Sequence, residues 1–364
     1  MVNKMNKINV LMCGSKVSVK GGMSSVIKNY LGYSDWEKYN IIYVPTHLEK
    51  AKPLLVLYFI TAYLKIFFLL LTKKIKIAHF HTAERGSFYR KSILVKLCKT
   101  FGVKTIMHHH AAEFEKFYLS LSKKRKAYVS RILELTDVNI VLSQRLIPMI
   151  KNKAPKANVK VLYNAVTTSN CNQYNTESSS VLFLGRLGER KGIYDLLQAI
   201  FLAKDSLPVD TKFYICGDGE IQNVKDKIKE MNLTELIAYV GWVDGQQKKE
   251  IFNKCCLNVL PSYNEGLPMT ILETMSHGIP NISTNIASIP EVIKNGRNGY
   301  LIEPGDIVSL SNLMIEVLKN KENRILLSKE AFKTINMHFS LNANVSKLIY
   351  IYDDLIKVRD GNER

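Results

Sequence analysis

Apolar residues in this chain come in short runs, separated by longer segments with a different spacing. Runs of strand type stand at Ile8–Cys13, Asn40–Val44, Ile75–Phe80, Val103–Met107, Val138–Leu142 and Val159–Leu162. Between them lie segments spaced for helices, among them Ser92–Leu97 and Tyr128–Leu135. Strands alternating with helices predict a parallel sheet covered on both faces. Residues 167–180 are polar and without periodicity, and are expected to form a linker. The alternation then restarts at Val181–Leu184, Lys212–Cys216, Ala238–Gly241, Leu257–Leu260 and Asn281–Ser283. The predicted class is α/β: two Rossmann-like, doubly wound domains facing a cleft. They cover residues 1–166 and 181–340, and a C-terminal helix at 341–364 can pack back on the first. Ligands of such sheets bind beyond the carboxyl ends of the strands.

One apolar run does not fit a strand. Leu54–Leu71 is almost wholly apolar, is interrupted by Thr61 and Lys65, and closes on Lys73, Lys74 and Lys76. A spanning helix needs about 20 apolar residues, and a charge near its centre costs roughly 2.5–3.5 kcal/mol. A helix lying in a membrane interface fits best, a long buried helix next, and a spanning one least. Charge sharpens the picture. Residues 1–170 carry 29 Lys and Arg against 8 Asp and Glu, whereas residues 171–364 carry 22 against 24. The net charge of +19 therefore belongs to the first half, which implies an anionic partner there. An acidic membrane surface is expected; nucleic acid is not, because no stacking aromatics interleave the basic run Lys123–Lys126. The six cysteines show no C-x-x-C pair and no zinc spacing, and are expected to be buried, reduced thiols of a cytoplasmic protein. Met1–Lys7 is polar, so no signal peptide is expected.

The segment with the most chemistry is Pro261–Glu273, a strand end, a loop with a carboxylate and a helix starting near Pro268. Gly266 lets backbone approach a ligand, and the N–H groups at the helix start, around Met269 and Thr270, suit a phosphate. Glu273, one turn and more inside, can accept from ribose hydroxyls; a solvated glutamate on an ordinary helix is the plain alternative. Gly185-Arg186-Leu187-Gly188-Glu189-Arg190-Lys191-Gly192 follows another strand and places two cations, Arg186 and Lys191, on one loop.

Glu265 and Glu273, seven residues apart in between, resemble the E-x7-E motif of family 4 retaining glycosyltransferases. Gly185–Gly192 is similar to that family's G-R-x5-K-G pattern, Gly217–Glu220 to its G-x-G-x segment, and Gly241-Trp242-Val243 to its G-x-V strand end. In the first domain Gly21-Gly22 resembles the family's Gly-Gly loop, and His108–Phe114 its H-G-x-E-F segment, which corresponds to His110. His79–Lys91 is similar to bacterial polysaccharide-assembly members, with Ser87, Arg90 and Lys91 as an anion site for a lipid-linked acceptor. The resemblance implies a GT-B fold and retaining transfer from a nucleotide diphosphate sugar, with UDP the expected nucleotide. Glu265 would hold the sugar hydroxyls and His110 would position the sugar. It also implies a lipid-linked saccharide acceptor and a place on the inner face of the cell membrane. No metal or cofactor is expected, since no D-x-D occurs and the nucleotide sugar is a substrate. Two rivals are a nucleotide-sugar epimerase on the same fold and a non-catalytic membrane-surface scaffold.

Overall fold

The computed structural model describes residues 7–360, which cluster into two units. Unit 1 is built from residues up to Ala165 together with those from Asn342 onward, and unit 2 from Val166–Leu341.

Unit 1 contains the strands β1 (Ile8–Ser15), β2 (Tyr39–His47), β3 (Ile77–Thr82), β4 (Lys104–His109), β5 (Val138–Val141) and β6 (Val159–Val161). They form one parallel sheet in the order β2-β1-β3-β4-β5-β6. The helices of this part are α1 (Gly22–Gly32), α2 (Lys52–Thr72), α3 (Gly86–Thr100), α4 (Phe114–Leu119), α5 (Lys123–Leu135) and α6 (Ile147–Lys151). The central strands are buried on both faces, as parallel strands are when helices cover the sheet. Strands β3 and β4 run two residues further than the apolar pattern indicated. Their last turns carry His79, His81, Thr82, His108 and His109, all buried polar side chains that the pattern read as strand ends.

Helix α2 removes one of the three alternatives for Leu54–Leu71, the long buried helix. Only Ala62, Ile66 and Leu70, one turn apart, are buried. Val56, Leu57, Ile60, Leu64, Phe67, Phe68 and Leu71 are exposed, and the helix is long and apolar enough to cross a membrane.

Unit 2 contains β7 (Ser180–Leu184), β8 (Phe213–Cys216), β9 (Ile237–Gly241), β10 (Cys255–Leu260), β11 (Asn281–Thr284) and β12 (Gly299–Ile302), in the parallel order β12-β11-β10-β7-β8-β9. Its helices are α7 (Ile193–Ala203), α8 (Ile221–Glu230), α9 (Gly245–Phe252), α10 (Met269–Ser276), α11 (Ile289–Val292), α12 (Ile307–Lys319) and α13 (Lys321–His338). Helix α9 begins at a capping box, in which Asp244 accepts from the backbone of Gln246 and Gln247 and the Gln247 side chain returns the bond. Residues 167–180, read as a linker, lie on unit 2. Tyr174 donates to the carbonyl of Cys256, Asn175 to that of Asn253 and Ser178 to that of Lys254.

The last helix, α14 (Leu341–Asp360), belongs to unit 1 apart from its first residue. Tyr30 donates to Asn344 at 2.8 Å, Asp353 accepts from Lys38 and Tyr39, and Tyr352 is fully buried. Five of the six cysteines are buried, and burial pushes the Cys98 thiol up to about 12. Cys171 is exposed, against the expectation for all six, because it sits in the polar stretch on the surface of unit 2.

Candidate active site

In an open parallel sheet the crevice for a ligand lies where the strand order reverses. In unit 2 that point falls between β10 and β7. The loop after β7 carries Gly185, Arg186 and Lys191, and the loop after β10 carries Glu265 and Gly266. The structure brings the two loops together: the Lys191 ammonium donates to Glu265 Oε1 in a mostly buried ion pair. The Tyr263 amide donates to the Arg190 carbonyl at 2.9 Å, and Arg190 Nη1 to the Asn264 carbonyl at 3.0 Å. Gly192 makes this approach feasible. Its φ of +70° is in the left-handed region, and a Cβ there would stand 2.0 Å from the Pro261 carbonyl oxygen.

Arg186 is exposed on the same loop. The helix that follows Gly266 starts at Met269, with Pro268 as its cap residue and no side chain bonded across its first turn. The first amides of that helix, around Met269 and Thr270, have no partner within the helix itself. Glu273, part-buried on α10, accepts from Lys248 of α9 at 2.9 Å. The sequence reading had no partner for Glu273, and Lys248 supplies one. Tyr263 is another addition: its hydroxyl donates to Asp195 at 2.7 Å and steadies the loop that holds Glu265.

On the carboxyl edge of the unit 1 sheet, Gly21 caps α1 with a φ of +132° and Gly22 opens the helix. His110, just after β4, is half-buried, and its ring Nε2 lies 2.9 Å from His81 Nδ1. His79, His81, His108 and His110 form a packed group, with ring centroids 4.4 Å apart for His108 and His110 and 4.6 Å apart for His79 and His81. Burial pushes His79 and His110 down to about 3 and His109 down to about 4, and holds His81 and His108 well below the ordinary histidine range. All five rings are therefore neutral at pH 7. His79, His81 and His108 each offer a ring nitrogen within 4.8 Å of the others, the spacing of a candidate metal cluster, with neither carboxylate nor thiolate in the group.

The Ser87–Lys91 segment is divided. The Ser87 hydroxyl accepts from the Ala83 amide at 3.1 Å and so closes the turn into α3. Arg90 is part-buried with its Nε unpartnered. Lys91 is fully buried, its Nζ has no hydrogen-bond partner, and burial, aided by the Arg90 charge, pushes it down to about 7. No sequence signal marked Lys91 as sealed, because a Lys next to an Arg reads as a solvated helix face.

With this geometry in view, comparisons decide the class. Residues 167–334 match the sequence profile of the family described as Glycosyl transferases group 1. The chain is a glycosyltransferase. Over 323 residues, 83% of this chain and 87% of its relative, it is 28% identical to an uncharacterized 41.2 kDa protein in the cps region of Klebsiella pneumoniae. It is 34% identical over 176 residues to the UDP-Gal:alpha-D-GlcNAc-diphosphoundecaprenol alpha-1,3-galactosyltransferase of Escherichia coli. That match covers 48% of this chain and 45% of the relative's length. Among solved structures, a sucrose-phosphate synthase from Thermosynechococcus elongatus aligns over 97% of this glycosyltransferase and all of its own chain, with a TM-score of 0.79 at 14% identity. The two sheets and this likeness give the glycosyltransferase a two-domain, Rossmann-like GT-B fold.

Proposed function

We propose that this glycosyltransferase moves a sugar from a UDP-sugar to a hydroxyl of a lipid-linked saccharide, with retention of anomeric configuration, in the assembly of a bacterial cell-surface polysaccharide. The observation that carries the reading is the Lys191–Glu265 pair at the reversal point of the unit 2 sheet. A diphosphate entering there competes with Glu265 for the Lys191 ammonium. The carboxylate so released is free to accept from hydroxyls of the attached sugar. Arg186 and the open amides at Met269 and Thr270 add to the positive field on the departing phosphate. Stabilisation that grows as the bond to the leaving group breaks is what accelerates transfer. Glu273, already holding a cation, is proposed to accept from the ribose.

In unit 1, His110 is proposed to hydrogen-bond a substrate oxygen, while Arg90 draws the acceptor phosphates, with Ser87 shaping the turn beside it; Lys91, sealed in the interior, takes no part in that contact. The activity named for the Escherichia coli relative, with its UDP-linked donor and diphosphoundecaprenol acceptor, supports this choice of substrates. The exposed apolar face of α2 and the basic first half support a peripheral place on the inner face of the cell membrane. No metal is assigned a role in this reading.

The test is a thermal-shift panel of nucleotide diphosphates and their sugars, followed by transfer to a diphosphate-linked lipid saccharide. A ligand at 100 times its Kd adds about 2.7 kcal/mol of stability, so UDP and one UDP-sugar are expected to stand apart. Product NMR then reads the anomer. A panel in which no nucleotide diphosphate stabilises the protein would remove the reading.

A further inference from the structure

The buried histidines of unit 1 carry more information than their pKa values, because their hydrogen bonds fix where each proton sits. A neutral imidazole has one N–H and one bare nitrogen, and the bond made by one nitrogen decides the state of the other. A buried N–H left without an acceptor is costly, and orphaned donors are rarer in proteins than under-used acceptors. In a ring whose one nitrogen is buried and bare, the proton is therefore expected on the other, partnered nitrogen; this applies to His81, His108 and His109, and not to the half-buried His110, neither of whose nitrogens is buried and bare.

His109 tests this rule within the same strand. Its Nε2 lies 3.0 Å from Asn139 Oδ1, and the Asn139 amide is oriented by its own Nδ2 donating to the Leu133 carbonyl at 2.8 Å. Oδ1 only accepts, so His109 carries its proton on Nε2. The nitrogen left bare, Nδ1, is the one buried without a partner. The rule holds where the partner leaves no choice.

Applied to His81, it has a consequence for the neighbouring ring. His81 is fully buried, its Nε2 has no partner, and its Nδ1 faces His110 Nε2 at 2.9 Å. The His81 proton then lies on Nδ1 and is donated to His110. His110, receiving on Nε2, must hold its own proton on Nδ1, and no group among the described residues is hydrogen-bonded to that nitrogen. His79 and His108 follow the same direction: His108 Nε2 is unpartnered, so its Nδ1 donates to His79 Nε2 at 3.2 Å. His79 in turn donates from Nδ1 to the Tyr352 hydroxyl at 2.7 Å.

We infer that His81 is a positioning residue that locks His110 as the Nδ1–H tautomer, so that His110 presents a neutral hydrogen-bond donor to a hydroxyl or phosphoryl oxygen of the substrate. The substrate role of His110 rests on the function proposed above; the tautomer does not. The histidine side chain free in water favours the Nε2–H form, so the lock reverses that preference. A ring so held discriminates by chemistry: a ligand group that only donates finds no acceptor in it.

The experiment is long-range 1H–15N correlation NMR on histidine-labelled protein, with the His110 signal assigned by its loss in His110→Gln. The expected result is the Nδ1–H pattern in the wild type and a shift to Nε2–H in His81→Leu. In kinetics, His81→Asn, whose amide keeps a donor at the place of Nδ1, should retain kcat/KM within about threefold. His81→Leu should lose about tenfold, chiefly in kcat, equal to some 1.4 kcal/mol. An Nε2–H or doubly protonated His110 in the wild type overturns the inference whether or not the protein transfers sugar. An Nδ1–H ring in a protein inert toward every donor would instead sink the proposed function. Should His81→Leu fail to fold, the wild-type spectrum alone still decides.

Discussion

The two units wind their sheets alike and load the carboxyl edges differently. In unit 2 the cations face acids: Lys191 in the loop after β7 meets Glu265, and Lys248 on α9 meets Glu273 on α10. In unit 1, Lys91 is sealed away without a hydrogen-bond partner, and the histidines satisfy one another through uncharged bonds. A paired site is stable before its ligand arrives, and the ligand has only to exchange one partner for another. Dry polar groups without partners weaken the fold. Unit 2 thus carries its charges in pairs, and unit 1 carries polar groups withheld from water.

The sharpest way to break this comparison is acid. His79, His109 and His110 have folded values pushed below the unfolded value of 6.5, to about 3 or 4. The unfolded chain then binds more protons than the folded one as pH falls below 6.5. Unit 1 should lose about 1.4 kcal/mol per pH unit for each such ring. Hydrogen exchange at pH 7 and pH 5 is expected to show the amides of β3 and β4 opening well before those of β7 and β10. Equal behaviour of the two sheets would remove the contrast.

Next in size is the paired site itself. Lys191→Ala should lower kcat by about 10²–10³-fold, the usual loss of one preorganised charge-stabilising group, with unit 1 protected as in the wild type. The exposed face of α2 comes after it. Leu64→Ser combined with Phe68→Ser should weaken co-sedimentation with anionic vesicles by on the order of 100-fold, since a fully buried large apolar side chain contributes about 1.5–3 kcal/mol, with transfer to a short-chain soluble acceptor retained.

The smallest effect is the most telling. Lys91→Met should raise the stability of unit 1 by about 1–3 kcal/mol near pH 6–7, because it removes a desolvated ammonium. The folded value of about 7 lies below the ordinary 10.5, so the charge burdens the fold fully below pH 7. The gain from the substitution should fade as pH rises toward 10.5. Urea titrations at pH 6.5 and pH 9.5 read the difference. A Lys91→Met protein less stable than the wild type would mean that the buried ammonium has a partner after all.

These contrasts also explain what the sequence could disclose. The unit 2 site was legible because its signals are local: strand, glycine, charged loop and helix follow one another within Gly185–Gly192 and within Pro261–Glu273. Its ion pair joins residues 74 apart, but each partner already stood in a recognisable strand-to-helix turn. The histidine group was not legible. Polar residues that close an apolar run read as strand ends reaching solvent, whereas β3 and β4 carry them into the interior. The bond from His79 to Tyr352 spans 273 residues, and no local pattern announces it. Lys91 failed for the same reason, since a lysine beside an arginine gives no local sign that it is buried.

The passage of α14 into unit 1 bears on the order in which the protein takes shape as it is made. Unit 2 is continuous from Val166 to Leu341, so all of it has been synthesised before the last segment of unit 1 exists. The floor of the histidine group needs Tyr352 from that segment, and Tyr30 needs Asn344. A chain cut short at residue 341 would therefore possess every segment of the second unit and lack the residues that close the polar interior of the first.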